Sequence, residues 1–151
     1  MAVLGVALAG CGSSSKSTSD TTIAGNADAG DVAVIKRWAD ELRAGDVISA
    51  SERFALPSIV QNGTSAFRLT NRRQVEVFNQ SLPCGARLTA ASSSGKYTIA
   101  TFVLTERPGE GVCGDGVGEH AKTAFVIQNG LIAQWRRVVD IGSSPSQGPV
   151  I

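Results

Sequence analysis

The groups in this chain that could do covalent or ionic chemistry are few: three cysteines, one histidine and several arginines in the second half. Cys113, Asp115, Glu119 and His120 lie close together, yet they match no recognised metal-ligand spacing. His120 also lacks an orienting partner that sequence can identify, so no Ser-His-Asp or Cys-His nucleophile can be assembled around it. The run from Pro108 to Gly118 is rich in glycine, but no Lys-Ser or Lys-Thr follows it. It reads as a hairpin loop and not as a phosphate cradle. The guanidinium groups of Arg107, Arg136 and Arg137 remain. Such forks pair with carboxylate or phosphate and keep their charge when partly buried. The plain alternative is surface pairing with Glu106, Glu110 or Asp140, which contributes little.

The elements that must position these groups follow from hydrophobic spacing. Asp31 is placed to cap a helix whose apolar residues Val32, Ile35, Ala39 and Leu42 recur at helical intervals, with Gly45 ending it. Asp46 caps a second helix carrying Val47, Ala50 and Phe54 and stopping before Pro57. A short strand from Ser58 to Gln61 comes next. Asn71 and Gln74 form a capping pair for a third helix, which presents Val75, Phe78 and Leu82 and halts at Pro83. The pattern then turns to β: Arg87 to Ala91, Tyr97 to Thr105, Ala121 to Ile127 and Leu131 to Val139. Asn129-Gly130 is a tight-hairpin signal. Helices followed by a long meander predict an α+β domain with three N-terminal helices packed on one face of a curved antiparallel sheet.

At the start of the chain, Leu8-Ala9-Gly10-Cys11 followed by Gly12 and serines resembles the lipobox of a bacterial lipoprotein. That resemblance implies lipidation of Cys11, cleavage before it, and a place on the extracytoplasmic side of the cell membrane. Residues 1–10 then form a signal peptide. It reads as incomplete, since it holds no Lys or Arg and its apolar stretch is far below the roughly 20 residues of a membrane span. Residues 11–30, dominated by Ser, Thr, Gly, Ala and Asp, read as a flexible tether, and 141–151 as a disordered tail. One domain, 31–140, lies between them. With Cys11 assigned to lipid, Cys84 and Cys113 are an even pair. A disulfide closing about 30 residues would stabilise by roughly 3–4 kcal/mol. The other reading is two unpaired thiols in separate loops. A formal net charge of +1 gives no electrostatic reason for a nucleic-acid partner.

The stretch Leu42-Arg43-Ala44-Gly45-Asp46, the following Phe54 and the last hairpin from Phe125 to Asp140 together resemble the nuclear transport factor 2-like superfamily, also called SnoaL-like. The resemblance covers Asp31 to Asp140. It implies a cone-shaped α+β fold with a pocket between helices and sheet. The superfamily includes isomerases, hydrolases, cyclases, dehydratases and non-catalytic binders, so function has to be argued from the site. Ketosteroid-isomerase-like members place a proton-shuttling Asp where this chain has Asn62, and an amide takes no proton at neutral pH. Epoxide-hydrolase-like members use an Asp-Arg-Asp set. Arg107 matches its Arg, but Gly109 and Arg137 stand in the carboxylate positions.

Period-two alternation puts Leu131, Ala133, Trp135, Arg137 and Val139 on one face, which lines the pocket in the family's register. Arg137, with Arg107 from the neighbouring strand, is then expected to bind an acidic group, and Trp38, Asn62 and Trp135 complete the candidate pocket. The bland alternatives are core tryptophans and a turn asparagine before Gly63. The expectation is a non-catalytic lipoprotein domain, without cofactor or metal, that binds a small anionic ligand or an envelope partner. Two alternatives are an isomerase or hydrolase with a relocated acid or base such as Glu106, and a structural module that forms a homodimer through its sheet.

Overall fold

Asp28, and not Asp31, caps the first helix in the computed structural model, which describes residues 23–63 and 65–139. Its carboxylate accepts from Gly30 N at 2.8 Å and Asp31 N at 3.1 Å, so α1 runs Ala29–Arg43. Asp31 is freed for another task and accepts from Thr98 Oγ1 at 2.6 Å, tying the helix to the sheet. Ile35, Trp38, Ala39 and Leu42 form the buried stripe of α1. Gly45, with a φ of 82°, ends the helix as its position suggests.

The second helix, α2 (Val47–Glu52), is shorter than expected, because Phe54 belongs to strand β1 (Phe54–Gln61). Phe54 pairs with Ile132, and the preceding Arg53 carbonyl accepts from Ile132 N at 2.7 Å. This strand pairing buries the ring completely. Strand β2 (Ala66–Leu69), α3 (Arg72–Ser81), β3 (Gly85–Ser94), β4 (Tyr97–Thr105), a 3-10 turn at Gly114–Gly116, β5 (His120–Gln128) and β6 (Leu131–Val138) follow. Asn71 Oδ1 caps α3 through Gln74 N at 3.0 Å, and Gln74 Oε1 reaches back to Thr70 N at 2.7 Å.

The six strands form one sheet in the order β2-β1-β6-β5-β4-β3. It is mixed and not wholly antiparallel, since β1 and β6 run parallel while every other pair is antiparallel. A parallel pair needs a long crossover, here everything between the first and last strands. Asn129 and Gly130, with φ of 52° and 72°, make the β5–β6 hairpin turn. A register shift places Val126 opposite Gln134 but Ile127 opposite Ile132, leaving Ala133 as a bulge. Ile132 and Trp135 therefore both enter the core, and the expected face holds for Trp135 and Arg137 but not for Leu131 and Ala133.

Residues 23–28, assigned above to the tether, pack on the domain. Ala24 bridges Ala90, donating to Thr89 O at 3.3 Å and accepting from Ala91 N at 2.7 Å, so this segment covers the β3 edge. Gly25 has a φ of 122°, and a Cβ there would lie 1.7 Å from the Ala91 carbonyl oxygen, which only glycine avoids. The lipidation reading of Cys11, the leader 1–10, the rest of the tether and the tail 141–151 lie outside the described residues.

Trp38 is the hub of the core. Its ring meets Phe125 at 5.6 Å, Phe102 at 6.2 Å, and Phe54 and Trp135 at 6.4 Å, all edge-on. Its indole N–H donates to Asn79 Oδ1 at 2.9 Å. Asn79 Nδ2 in turn donates to Val75 O at 3.0 Å and Ser51 Oγ at 3.2 Å, so the buried amide is satisfied on both sides.

Candidate functional site

A cavity of about 130 Å³ opens between α1 and the concave face of the sheet. Trp38 and Leu42 reach it from α1, Phe102 and Leu104 from β4, and Ala121 and Thr123 from β5. Trp135 and Arg137 come from β6, where residues two apart share a face. One rim is the segment Leu82-Pro83-Cys84, and Asn62 stands at another part of the wall. Trp38, Leu42, Phe102 and Trp135 are buried, whereas Asn62 and Arg137 are exposed. The interior is thus apolar and its mouth polar. The indole N–H of Trp135 is buried and has no hydrogen-bond partner among the described residues.

The structure brings together Trp38, Asn62, Trp135 and Arg137 and leaves Arg107 out of the cavity wall. Arg107 is buried beneath the end of α3. Its Nε donates to Leu82 O at 2.8 Å, and its Nη2 donates to Gln80 O at 3.0 Å and Asn79 O at 3.3 Å. Pro83 stops the helix and leaves the Gln80 and Leu82 carbonyls without intrahelical donors, while Asn79 O also accepts from Leu82 N at 3.3 Å, and the guanidinium takes up all three at the negative end of the helix dipole. Burial lowers the Arg107 pKa from its ordinary value, because desolvation penalises the charged form. The expected pair of inward guanidinium groups is therefore one group. Arg136 is engaged elsewhere, donating to Gln61 Oε1 at 2.6 Å and Gln134 Oε1 at 3.1 Å. The Arg137 guanidinium has no ion pair or hydrogen bond among the described residues, while its backbone lies in the β5–β6 ladder opposite Thr123.

Cys84 and Cys113 form a disulfide, and Cys84 is part of the cavity rim. Glu106 holds the same loop from the other side, accepting from Gly114 N at 3.0 Å and Cys113 N at 3.3 Å. This carboxylate is a loop anchor and does not line the cavity. Among the described residues, none that lines the cavity is Asp, Glu or His, and no cluster of metal-ligating side chains occurs. Sequence reasoning missed the rim at Leu82 to Cys84, and it missed Ala121 and Thr123. The alternation Ala121, Thr123, Phe125 on β5 carried the signal for the latter two.

No family model matches this chain, and no curated protein matches it. Solved structures do. A nuclear transport factor 2-like protein of unknown function from Cytophaga hutchinsonii superposes with a TM-score of 0.56 at 9% identity, covering 80% of this chain and 94% of that one. The fold is nuclear transport factor 2-like. A protein from Kribbella flavida provisionally named a ketosteroid isomerase matches with a TM-score of 0.53 at 18% identity, over 77% of this chain and 82% of that one. A protein from Catenulispora acidiphila with a ketosteroid isomerase-like fold, in complex with trimethylamine, matches with a TM-score of 0.52 at 13% identity, over 73% and 87%. These identities carry the nuclear transport factor 2-like fold alone, and the chemistry rests on the cavity.

Proposed function

We propose that this chain is an exported lipoprotein, anchored to the membrane through Cys11, whose nuclear transport factor 2-like domain binds a small anionic ligand without transforming it. The carrying observation is an apolar cavity whose only charged lining residue among the described residues is Arg137, its guanidinium left uncommitted at the mouth. Among the described residues the walls offer no general base: Asn62 is an amide, and Glu106 is engaged by the loop. The fold neighbour from Kribbella flavida is named for isomerase chemistry. Nothing in this cavity's donor set supports the same proton transfer here. Among the described residues no helix is long and apolar enough to cross a membrane, and the attachment proposed is lipid at Cys11.

Two experiments test this. Native mass spectrometry of the purified full chain should show a co-purifying small acid that is absent from Arg137→Gln, whereas turnover of a bound ligand would contradict the non-catalytic reading. Cell fractionation should find the wild type with membranes and Cys11→Ala in the soluble fraction, and an unchanged distribution would remove the anchor. Docking of an envelope protein is the second reading. An open groove between β2 and α3 favours it, where Phe67 and Val77 are exposed beside Arg68 and Arg73.

A further inference from the structure

We infer that the ligand is a monocarboxylate whose apolar body is about the size of one benzene ring, and that steroid-sized molecules are excluded; this rests on the small-ligand reading above. The size limit follows from the volume. An enclosed apolar cavity of roughly 150 Å³ binds benzene, and the one here, about 130 Å³ and open at its mouth, has room for one ring body and not for a fused ring system. The wall is also held against expansion. Leu82 is fixed by Arg107 Nε on its carbonyl at 2.8 Å, and Cys84, two residues on, by the disulfide to Cys113. The rim between those two pins cannot swing outward without breaking one of them.

The charge follows from the mouth. Arg137 is the only cation of the lining among the described residues, so one negative group is matched and a second would be left without a counter-charge. Asn62, exposed on the same lining, adds an amide donor. A planar ring suits the interior, because Trp38, Phe102 and Trp135 present ring surfaces that pair edge-to-face with an aromatic guest. An anion with its body in the cavity would keep its head at the polar opening.

The test uses the full chain, with binding read by tryptophan fluorescence, since both tryptophans of the chain line the cavity. The probes are benzoate, its neutral isostere benzamide, benzene, 2-naphthoate and a four-ring steroid ketone. Benzoate is expected to bind saturably, with benzamide about tenfold weaker, the difference being one charge-assisted contact. Arg137→Gln should weaken benzoate about tenfold and leave benzamide unchanged. Naphthoate and the steroid should not bind the wild type, and Leu82→Ala should admit naphthoate. Wild-type binding of naphthoate or steroid as tight as that of benzoate overturns the size limit. Benzamide or benzene binding as well as benzoate overturns the monoanion. Either result leaves the cavity as a ligand site. If benzoate, benzamide and benzene all fail to bind, the small-ligand reading fails with it.

Discussion

Two arginines in neighbouring parts of the cone have opposite fates. At the corner beneath α3, Arg107 is buried and its guanidinium answers three helix-end carbonyls. At the cavity mouth, Arg137 is exposed and answers none among the described residues. The first corner is a completed structural joint, in which every donor that can be seen has an acceptor within the chain. The second is incomplete as the chain stands, and a charge that does nothing for the fold is free to act on something else. What separates them is what surrounds each: the halt of a helix at Pro83 creates demand for a donor, whereas β6 ends with its ladder satisfied. Residue type alone does not distinguish a binding arginine from a capping one.

The contrast can be broken most strongly at the link between the two regions. Replacing Cys84 and Cys113 by serine removes a cross-link spanning 29 residues and should cost about 3.5 kcal/mol on the chain-entropy model, read by denaturant unfolding. It should also loosen the rim and weaken ligand binding. Arg107→Ala comes next, at about 3 kcal/mol, because hydrogen bonds from a buried charge are lost and carbonyls at the end of α3 are left unpaired. Arg107→Lys should recover little of it, since an ammonium cannot span the spread carbonyls. Trp38→Phe leaves Asn79 Oδ1 without its donor and should cost about 1–3 kcal/mol, shown by the same unfolding curves. Arg137→Gln should lie within about 0.5 kcal/mol of wild type. A large loss of stability on changing Arg137 would dissolve the contrast, because it would make that residue structural too.

Much of the arrangement was legible in the sequence, and the failures have identifiable causes. The helix stripe of α1, the Asn71–Gln74 cap and the Asn129-Gly130 hairpin follow local rules that tertiary packing did not override. The strand period puts Trp135 and Arg137 on one face, and both line one cavity together with Trp38 and Asn62. Helical spacing from Val47 fits Phe54 as well as a strand does, and only its pairing with Ile132 decides for the strand. The bulge at Ala133 has no signature in residue type, so a strict period of two failed for Leu131. Strand β2 is mostly exposed and shows no alternation to detect. The place of Arg107 is not legible in the sequence, because the need of the helix-end carbonyls for a donor arises only once the end of α3 and the segment after β4 are packed together.

The most direct measurement is a crystal structure of the full chain grown with benzoate. The account expects the ring inside the cavity beside Trp38 and Phe102, the carboxylate within hydrogen-bond distance of the Arg137 guanidinium, and Arg107 still on the carbonyls of α3. A cone interior closed by its own side chains, or a carboxylate bound away from Arg137, would contradict it.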